Sequence, residues 1–345
     1  MSAVAAPTTT PMAPWRSAMT PPVVIGPAAV EHTVEAARWA ESLGYDDLWL
    51  PDAGGVDALT LAGLVLAKTE RIRVGVAVVP AYTRTPAVFA ATLATLESAA
   101  PGRFVLGLGS SSHVMIEGWH GLPFDHPVAR VRETVDLLRC MLAGEKTDFE
   151  GEVLSSHGYQ QPPVAAPVPI HLAALRPRMI DLAAARAEGI ILNLFPRAAL
   201  PRVFDTIDAA LARHGRDRSA IEVGTRISVT VTDDVDAART AFRRGFIPYY
   251  ATPSYNSFLT WAGHPEAARA IREGWAARDR AACYAAMDDA LVDEIAIAGS
   301  AEHCQSRIRE LHAAGITTPL MFCLSSDRAV VDATFAAFAP ANFTI

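Results

Sequence analysis

Cysteine is scarce in this chain: four in 345 residues, with Cys140, Cys283, Cys304 and Cys323 scattered along it. No CxxC pair occurs and no histidine lies beside them at ligand spacing, so neither a disulfide framework nor a cysteine-held metal is indicated. They read as reduced, mostly buried thiols of a cytoplasmic protein. Concentrated positive charge is missing too. With 30 Lys and Arg against 37 Asp and Glu, the formal net charge is -7 and no basic cluster offers a surface to nucleic acid. Long apolar runs are absent as well. The longest, 74–79 and 104–108, are far too short to cross a bilayer. The first 22 residues, MSAVAAPTTTPMAPWRSAMTPP, have neither the basic start nor the apolar core of a secretory signal. Their Pro, Thr and Ala bias predicts a disordered or extended segment over 1–22, followed by one domain over 23–345. No GxSxG, SxxK or Cys/His arrangement supplies a nucleophile.

What the chain does have is 51% hydrophobic residues, enough for a large core, arranged as a repeat. Short β-branched runs alternate with long Ala-rich amphipathic stretches, which implies parallel β/α units. Strands are expected at 23–25, 47–50, 72–79, 104–108, 169–173, 190–194, 221–231 and 319–324. Helices are expected at 29–43, 57–69, from Pro86, and at 128–143, 178–187, 200–214, 234–244 and 301–314, with FEGEV forming a small hairpin outside the repeat. Eight such units fit the α/β class of closed (β/α)8 TIM barrels, with insertions at the C-terminal face where the site of such a barrel lies. A doubly wound open sheet would need a glycine-rich phosphate turn after its first strand, and IGPAAV lacks that spacing.

The residues after each strand therefore carry the functional signal. Asp52, beside Gly54 and Gly55, is either a turn former or a ligand or catalytic carboxylate. In GRFVLGLGSSS, Gly109 and Ser110, Ser111 and Ser112 reach the barrel mouth. There the glycine permits close backbone approach and the serines can donate to phosphate oxygens, although a glycine-assisted bend gives the same pattern. The segment AALRPR ends strand five and turns straight into a helix, so that helix start with Arg176 beside it is a second anion site. His113, His120 and His126 match no helical ligand pair, and no metal is expected. His171 falls within a strand and reads as a core histidine.

In order along the chain, GYDDLWLPD, TERIRVGVAVVPAYTRTPAVFAATLATLE, GRFVLGLGSSS and VRETVDLLRCMLAGE resemble the luciferase-like flavin and deazaflavin oxidoreductases. Within that superfamily, YTRTPAV is similar to the coenzyme F420 branch. The resemblance implies a (β/α)8 barrel, often a homodimer, that moves a hydride between the deazaflavin and a small organic substrate through C=C, C=N or C=O reduction or the reverse. An FMN-dependent monooxygenase with a partner reductase is the alternative. By position, the resemblance implies that Asp52 lies near the deazaflavin and that Ala77 and Val78 share a cis peptide backing the ring. It also implies that Ser110, Ser111 and Ser112, with Ala174, Leu175 and Arg176, hold the cofactor tail. The sugar-phosphate dehydrogenases of this branch carry His and Glu where this chain has Ala53 and Ser112, so their activity is not expected here. From placement in the mouth, His113 is the first candidate proton donor, with Glu117, Tyr82 and His120 behind it.

Residues 246–290 hold Phe246, Tyr249, Tyr250, Tyr255, Phe258, Trp261 and Trp275, denser than the 8% of aromatics in the whole chain. A connection between the seventh and eighth strands leaves the barrel at its mouth. Tyr250 and Tyr255 are therefore candidate substrate contacts favouring a flat or apolar molecule, unless these rings serve helix packing or a dimer surface.

Overall fold

The computed structural model describes residues 11–52 and 54–345. Eight parallel strands close a barrel: β1 (Ala18–Met19), β2 (Asp47–Leu50), β3 (Arg73–Val76), β4 (Phe104–Gly109), β5 (Ile170–Ala173), β6 (Gly189–Asn193), β7 (Glu222–Val231) and β8 (Thr318–Phe322). Each pairs with the next, and β8 returns to β1. Helices α1 (Ala29–Ser42), α2 (Ala58–Leu66) and α3 (Pro86–Ala99) follow the first three strands. Next come α4 (His113–His120), α5 (Pro127–Leu142), α6 (Pro177–Arg186) and α7 (Leu200–Arg213). The β7 to β8 connection is helical almost throughout: α8 (Val235–Tyr250), α9 (Pro253–Trp261), α10 (Pro265–Ala276), α11 (Arg280–Ala286), α12 (Asp289–Ile295) and α13 (Ala301–Ala313). Last is α14 (Arg328–Ala337). None of the described helices is long and apolar enough to cross a membrane.

The sequence signals fix most of these elements locally. Asp57 caps α2 by accepting from the Thr60 amide, and Thr85 caps α3 by accepting from the Val88 amide with Pro86 in the first turn. In α7 the buried residues Leu200, Val203, Phe204, Ile207, Ala210 and Leu211 keep helical spacing, so one face packs inward. FEGEV sits in an antiparallel hairpin joining 148–150 to 155–157.

Three expectations are corrected. The first strand is not 23–25 but Ala18–Met19, and Val23 and Ile25 stand 67% and 89% exposed. The segment 11–22 is packed rather than loose, because the Arg16 guanidinium donates to Asp47 and the Ser17 amide and hydroxyl donate to Asp46. A two-residue strand held by polar contacts leaves no β-branched run to read. Residues 1–10 lie outside the described part. The third correction is α8, which runs through Pro248 to Tyr250 where an irregular stretch was expected after residue 244.

Alternation along the strands divides two cores. Leu48, Leu50, Val74, Val76, Leu106, Leu172, Ile190 and Val223 face outward beneath the helices. Ala18, Trp49, Ala77, Val105, Ile191 and Leu320 face inward and pack together. Trp49 fills the middle of the barrel, and β3 accommodates it with Gly75, where a Cβ would fall 2.4 Å from the indole. Below the indole the interior is charged. The Asp47 carboxylate accepts from Arg16 at 2.6 Å and from Arg73 at 2.6 Å, while Arg73 also donates to Glu222 at 2.9 Å and 2.8 Å.

His171, read as a core histidine, is 1% exposed there, with Nε2 4.0 Å from Glu222 and no hydrogen-bond partner. Burial pushes its pKa down to about 4, with Glu222 opposing and Arg73 reinforcing. For Glu222, burial pulls upward, but the hydrogen bonds and charge of Arg73 outweigh it and hold the carboxyl at about 2. Both groups therefore bind protons more readily unfolded than folded, so both stabilise the fold at neutral pH. The His171 contribution is lost as pH falls from about 6.5 to about 4, and the Glu222 contribution from about 4.5 to about 2. Urea denaturation of His171→Gln across this range should show a shallower loss of stability between pH 6.5 and 4 than the parent. Equal slopes would mean that His171 titrates as it does in an unfolded chain.

Candidate cofactor and substrate site

The floor of the site is a bulge in the strand after Trp49. Gly75 is in register with Val105 and Val79 with Leu108, so this side carries one residue more than β4 between those two points. The extra residue swings Ala77 and Val78 into the barrel mouth. The peptide between them is cis, the geometry that the resemblance implies at this pair. The close approach explains the glycines of FVLGLG. A Cβ at Gly107 would lie 1.8 Å from the Val76 carbonyl oxygen, and one at Gly109 would lie 2.8 Å from the Val78 side chain and 3.1 Å from Ala173. Gly109 thus lies against the floor from behind and is not in the lining.

Above this floor opens a cavity of roughly 1710 Å³. That exceeds the ~300–1,000 Å³ usual for one small ligand and leaves room for a cofactor and a substrate together. Its β4–β5 wall is formed by Ser110, Ser111 and Ser112 and by Ala174, Leu175 and Arg176. Two helices start here, α4 after Ser112 and α6 after Arg176, and neither has a side-chain cap. The His113 and Val114 amides of α4 and the Arg178 amide of α6, whose first residue Pro177 has no N–H, are without an acceptor among the described residues and, with the positive dipole ends, are free for an anion. Arg176 and Arg178 flank them, exposed and without an ion pair among the described residues. Asp52 lines the β2 side, 3.5 Å from Arg84, which also pairs with Asp57. Burial raises the Asp52 pKa, Arg84 lowers it and Asp57 raises it, with a net upward shift. The Asp52 carboxyl therefore holds a proton to higher pH than an ordinary aspartate.

Besides Gly109, five candidate site residues singled out from the sequence stand outside the lining: Tyr82, His113, Glu117, His120 and Tyr250. Val114, Met115 and Trp119 form the face of α4 that meets the cavity, whereas His113 and Glu117, four apart, form another stripe. Glu117 is exposed and accepts from the Phe124 amide. Tyr82 is 8% exposed under the Arg130 guanidinium and donates its hydroxyl to the Asp125 carbonyl. Tyr250 is fully buried and donates to the Leu194 carbonyl. Because the chain is still helical at this point, consecutive residues diverge by about 100°, and it is Tyr249 that reaches the cavity beside Tyr255.

Several lining residues were not anticipated. His32 of α1 is in the lining with its Nε2 enclosed and unpartnered. Asn193 ends β6, Arg226 lies inside β7, and Phe322 joins Phe246, one of the aromatics expected from 246–290, in an aromatic wall. A signal existed for Arg226: an arginine within a β-branched strand, two intervals of alternation after Glu222, faces the same interior. Among the described residues no group of three or more His, Cys, Asp or Glu could hold a metal ion.

A closed (β/α)8 barrel with a cofactor-sized mouth, a bulged apolar floor and a cationic wall defines a class of cofactor-using barrel enzymes. The luciferase-like monooxygenase family matches residues 7–318, and the chain belongs to that family as a luciferase-like oxidoreductase. Among curated proteins, it is 29% identical over 290 residues to 5,10-methylenetetrahydromethanopterin reductase of Archaeoglobus fulgidus, covering 81% of this chain and 86% of that protein. Among solved structures, the coenzyme F420 dependent tetrahydromethanopterin reductase from Methanopyrus kandleri superposes with a TM-score of 0.79 at 20% identity, covering 95% of this chain and 98% of that one. The oxygenating constituent of 3,6-diketocamphane monooxygenase of Pseudomonas putida, in complex with FMN, gives a TM-score of 0.71 at 17% identity, covering 96% and 99%. At these identities the two structures speak for the fold alone.

Proposed function

We propose that the chain is an F420-dependent oxidoreductase that exchanges a hydride with a small organic substrate at a C=C, C=N or C=O bond. One observation carries this: in a chain of net charge -7, a single cavity joins a small apolar floor to a wall of uncapped helix starts and unpaired arginines. Ala77 and Val78 would back the ring. Ser110, Ser111 and Ser112, Ala174, Leu175 and Arg176 would hold the phosphate and acidic tail. The glycines behind the floor support this fit, since any side chain there would push the bulge out of place. Similarity to a putative coenzyme F420-dependent oxidoreductase of Mycobacterium tuberculosis, 27% identical over 321 residues, supports the choice of F420.

When bound, the deazaflavin supplies two-electron hydride chemistry and favours it over oxygenation. The chain's own residues orient, exclude water and handle protons. Asp52, whose pKa is raised, is placed to hold or deliver one at its carboxyl, and His32 is the histidine available in the lining. His113 would need a rotation of α4 to reach the cavity. The same proposal keeps the chain a cytoplasmic homodimer acting on a small molecule.

An FMN-dependent monooxygenase is the second reading, favoured by membership of the luciferase-like monooxygenase family. Titration of the apoprotein with F420 and with FMN separates the two. The proposal expects tighter F420 binding, and FMN binding without measurable F420 affinity would refute it. Arg176→Ala should weaken F420 roughly tenfold, about 1.5 kcal/mol, the low end for a charged contact because the side chain is exposed. Raising the salt should shrink that difference. An unchanged Kd would remove Arg176 from the site.

A further inference from the structure

Arg226 is a charged group of the cavity that the cofactor wall does not explain, and unlike Arg328 of the same lining, which pairs with Asp332, it has no carboxylate partner among the described residues. It lies on β7, in register with Asn193 of β6 and Leu320 of β8, so it is separated from the serine and arginine wall of β4 and β5 by a whole strand. Its Nε is enclosed without a hydrogen-bond partner, and no carboxylate forms an ion pair with the guanidinium among the described residues. The guanidinium lies 5.1 Å from the centre of the Phe322 ring; Tyr249 and Tyr255 are close enough to act on its charge, and Asn193 is its register partner on β6. The two carboxylates of the lining are elsewhere: Asp52 is taken up by Arg84, and Glu35 stands exposed on α1.

Arg226 is half-buried, and a desolvated cation without a counter-ion is costly to the folded chain; desolvation accordingly lowers its pKa. Asn193 shows the same incompleteness. Its Nδ2 donates to the Tyr255 hydroxyl at 2.6 Å, and its Oδ1 has no partner. With the amide turned over, Oδ1 would accept from the Tyr255 hydroxyl and Nδ2 would become a free donor beside the guanidinium. Arg226 and Asn193 would then present convergent N–H groups below the rings of Tyr249, Tyr255, Phe246 and Phe322. A planar, bidentate acceptor is what a guanidinium fork matches best.

We propose that Arg226 and Asn193 form the substrate's carboxylate subsite, so that the enzyme acts on small organic acids whose apolar or aromatic body packs against the tyrosine and phenylalanine wall. This rests on the reading of the cavity as a cofactor and substrate site and names the substrate class. It adds a carboxylate to the expectation of a flat or apolar substrate, which came from aromatic density in the β7 to β8 connection and did not consider the arginine within β7 itself. A phosphate ester is a poorer match, because the other guanidinium on the β8 side of the lining, Arg328, is paired with Asp332 and lies over the Trp39 ring.

Three acid and amide pairs provide the test: benzoate and benzamide, cinnamate and cinnamamide, crotonate and crotonamide. Each is titrated calorimetrically into the full-length protein with and without F420, and F420 affinity is measured separately. At least one acid should bind roughly tenfold or more tighter than its amide. Arg226→Met should abolish that preference and Arg226→Lys should retain part of it, both with unchanged F420 affinity. Should the methionine variant fail to fold, the wild-type preference and the lysine variant decide. The subsite is overturned if no pair shows the preference, if it survives in Arg226→Met, or if that variant loses F420 affinity, which would assign the arginine to the cofactor. Failure of F420 to bind, with the acid preference intact, would sink the cofactor proposal and leave the subsite standing.

Discussion

The indole of Trp49 occupies the middle of the barrel, and the rest of the interior is arranged around that one bulky group. Gly75 must be a glycine to admit it, and the charged cluster of Asp47, Arg73 and Glu222 closes the end beneath it. With the lower part thus filled, the strands can carry small residues at the top without losing the core. Ala77, Gly109 and Ala173 follow from this, and so does the open mouth. The bulge after β3 lies directly in this transition. It converts a packed barrel into one with a flat apolar floor, at the end where barrel enzymes place their chemistry.

Electrostatics divides the mouth in a way that the net charge conceals. The chain is acidic, yet Arg176, Arg178 and Arg226 enter the cavity without ion-pair partners among the described residues. Two of them sit at helix starts, exposed, where they suit a solvated and flexible anion. The third is enclosed within the strand layer, where it suits a compact one. A cofactor tail and a substrate acid are therefore recognised by different physical means within one cavity. Asp52, lifted in pKa by burial, lies on the remaining side, close enough to Arg84 to stay oriented.

Much of this was legible in the sequence because it rests on local chemistry. Alternating strands and helices gave the barrel, the strand-end motifs gave the serine and Arg176 wall, and the resemblance pointed to Ala77 and Val78. What stayed hidden depends on tertiary geometry. The strand Ala18–Met19 is defined by Arg16 and Ser17 reaching Asp47 and Asp46 some 30 residues away, which no local pattern announces. His113 and Tyr250 were assigned to the mouth from their position in loops, but both fall in helices, and there a one-residue difference in phase decides whether Tyr249 or Tyr250 meets the cavity. Arg226 was passed over because attention went to residues after the strands rather than within them. Gly109, read as a point of close ligand approach, instead makes room for the Val78 and Ala173 side chains.

The central claim is that the cavity has a polarity, with the ring on the bulge, the tail on the β4–β5 wall and the β6–β8 side left for substrate. A crystal structure of the F420-loaded protein tests it most directly. The account predicts the deazaflavin ring stacked on Ala77 and Val78, the tail phosphate within hydrogen-bond distance of Ser110, Ser111 or Ser112 and the start of α6, and Arg226 untouched by cofactor. Density placing the ring away from the bulge, or the phosphate against Arg226, would contradict it.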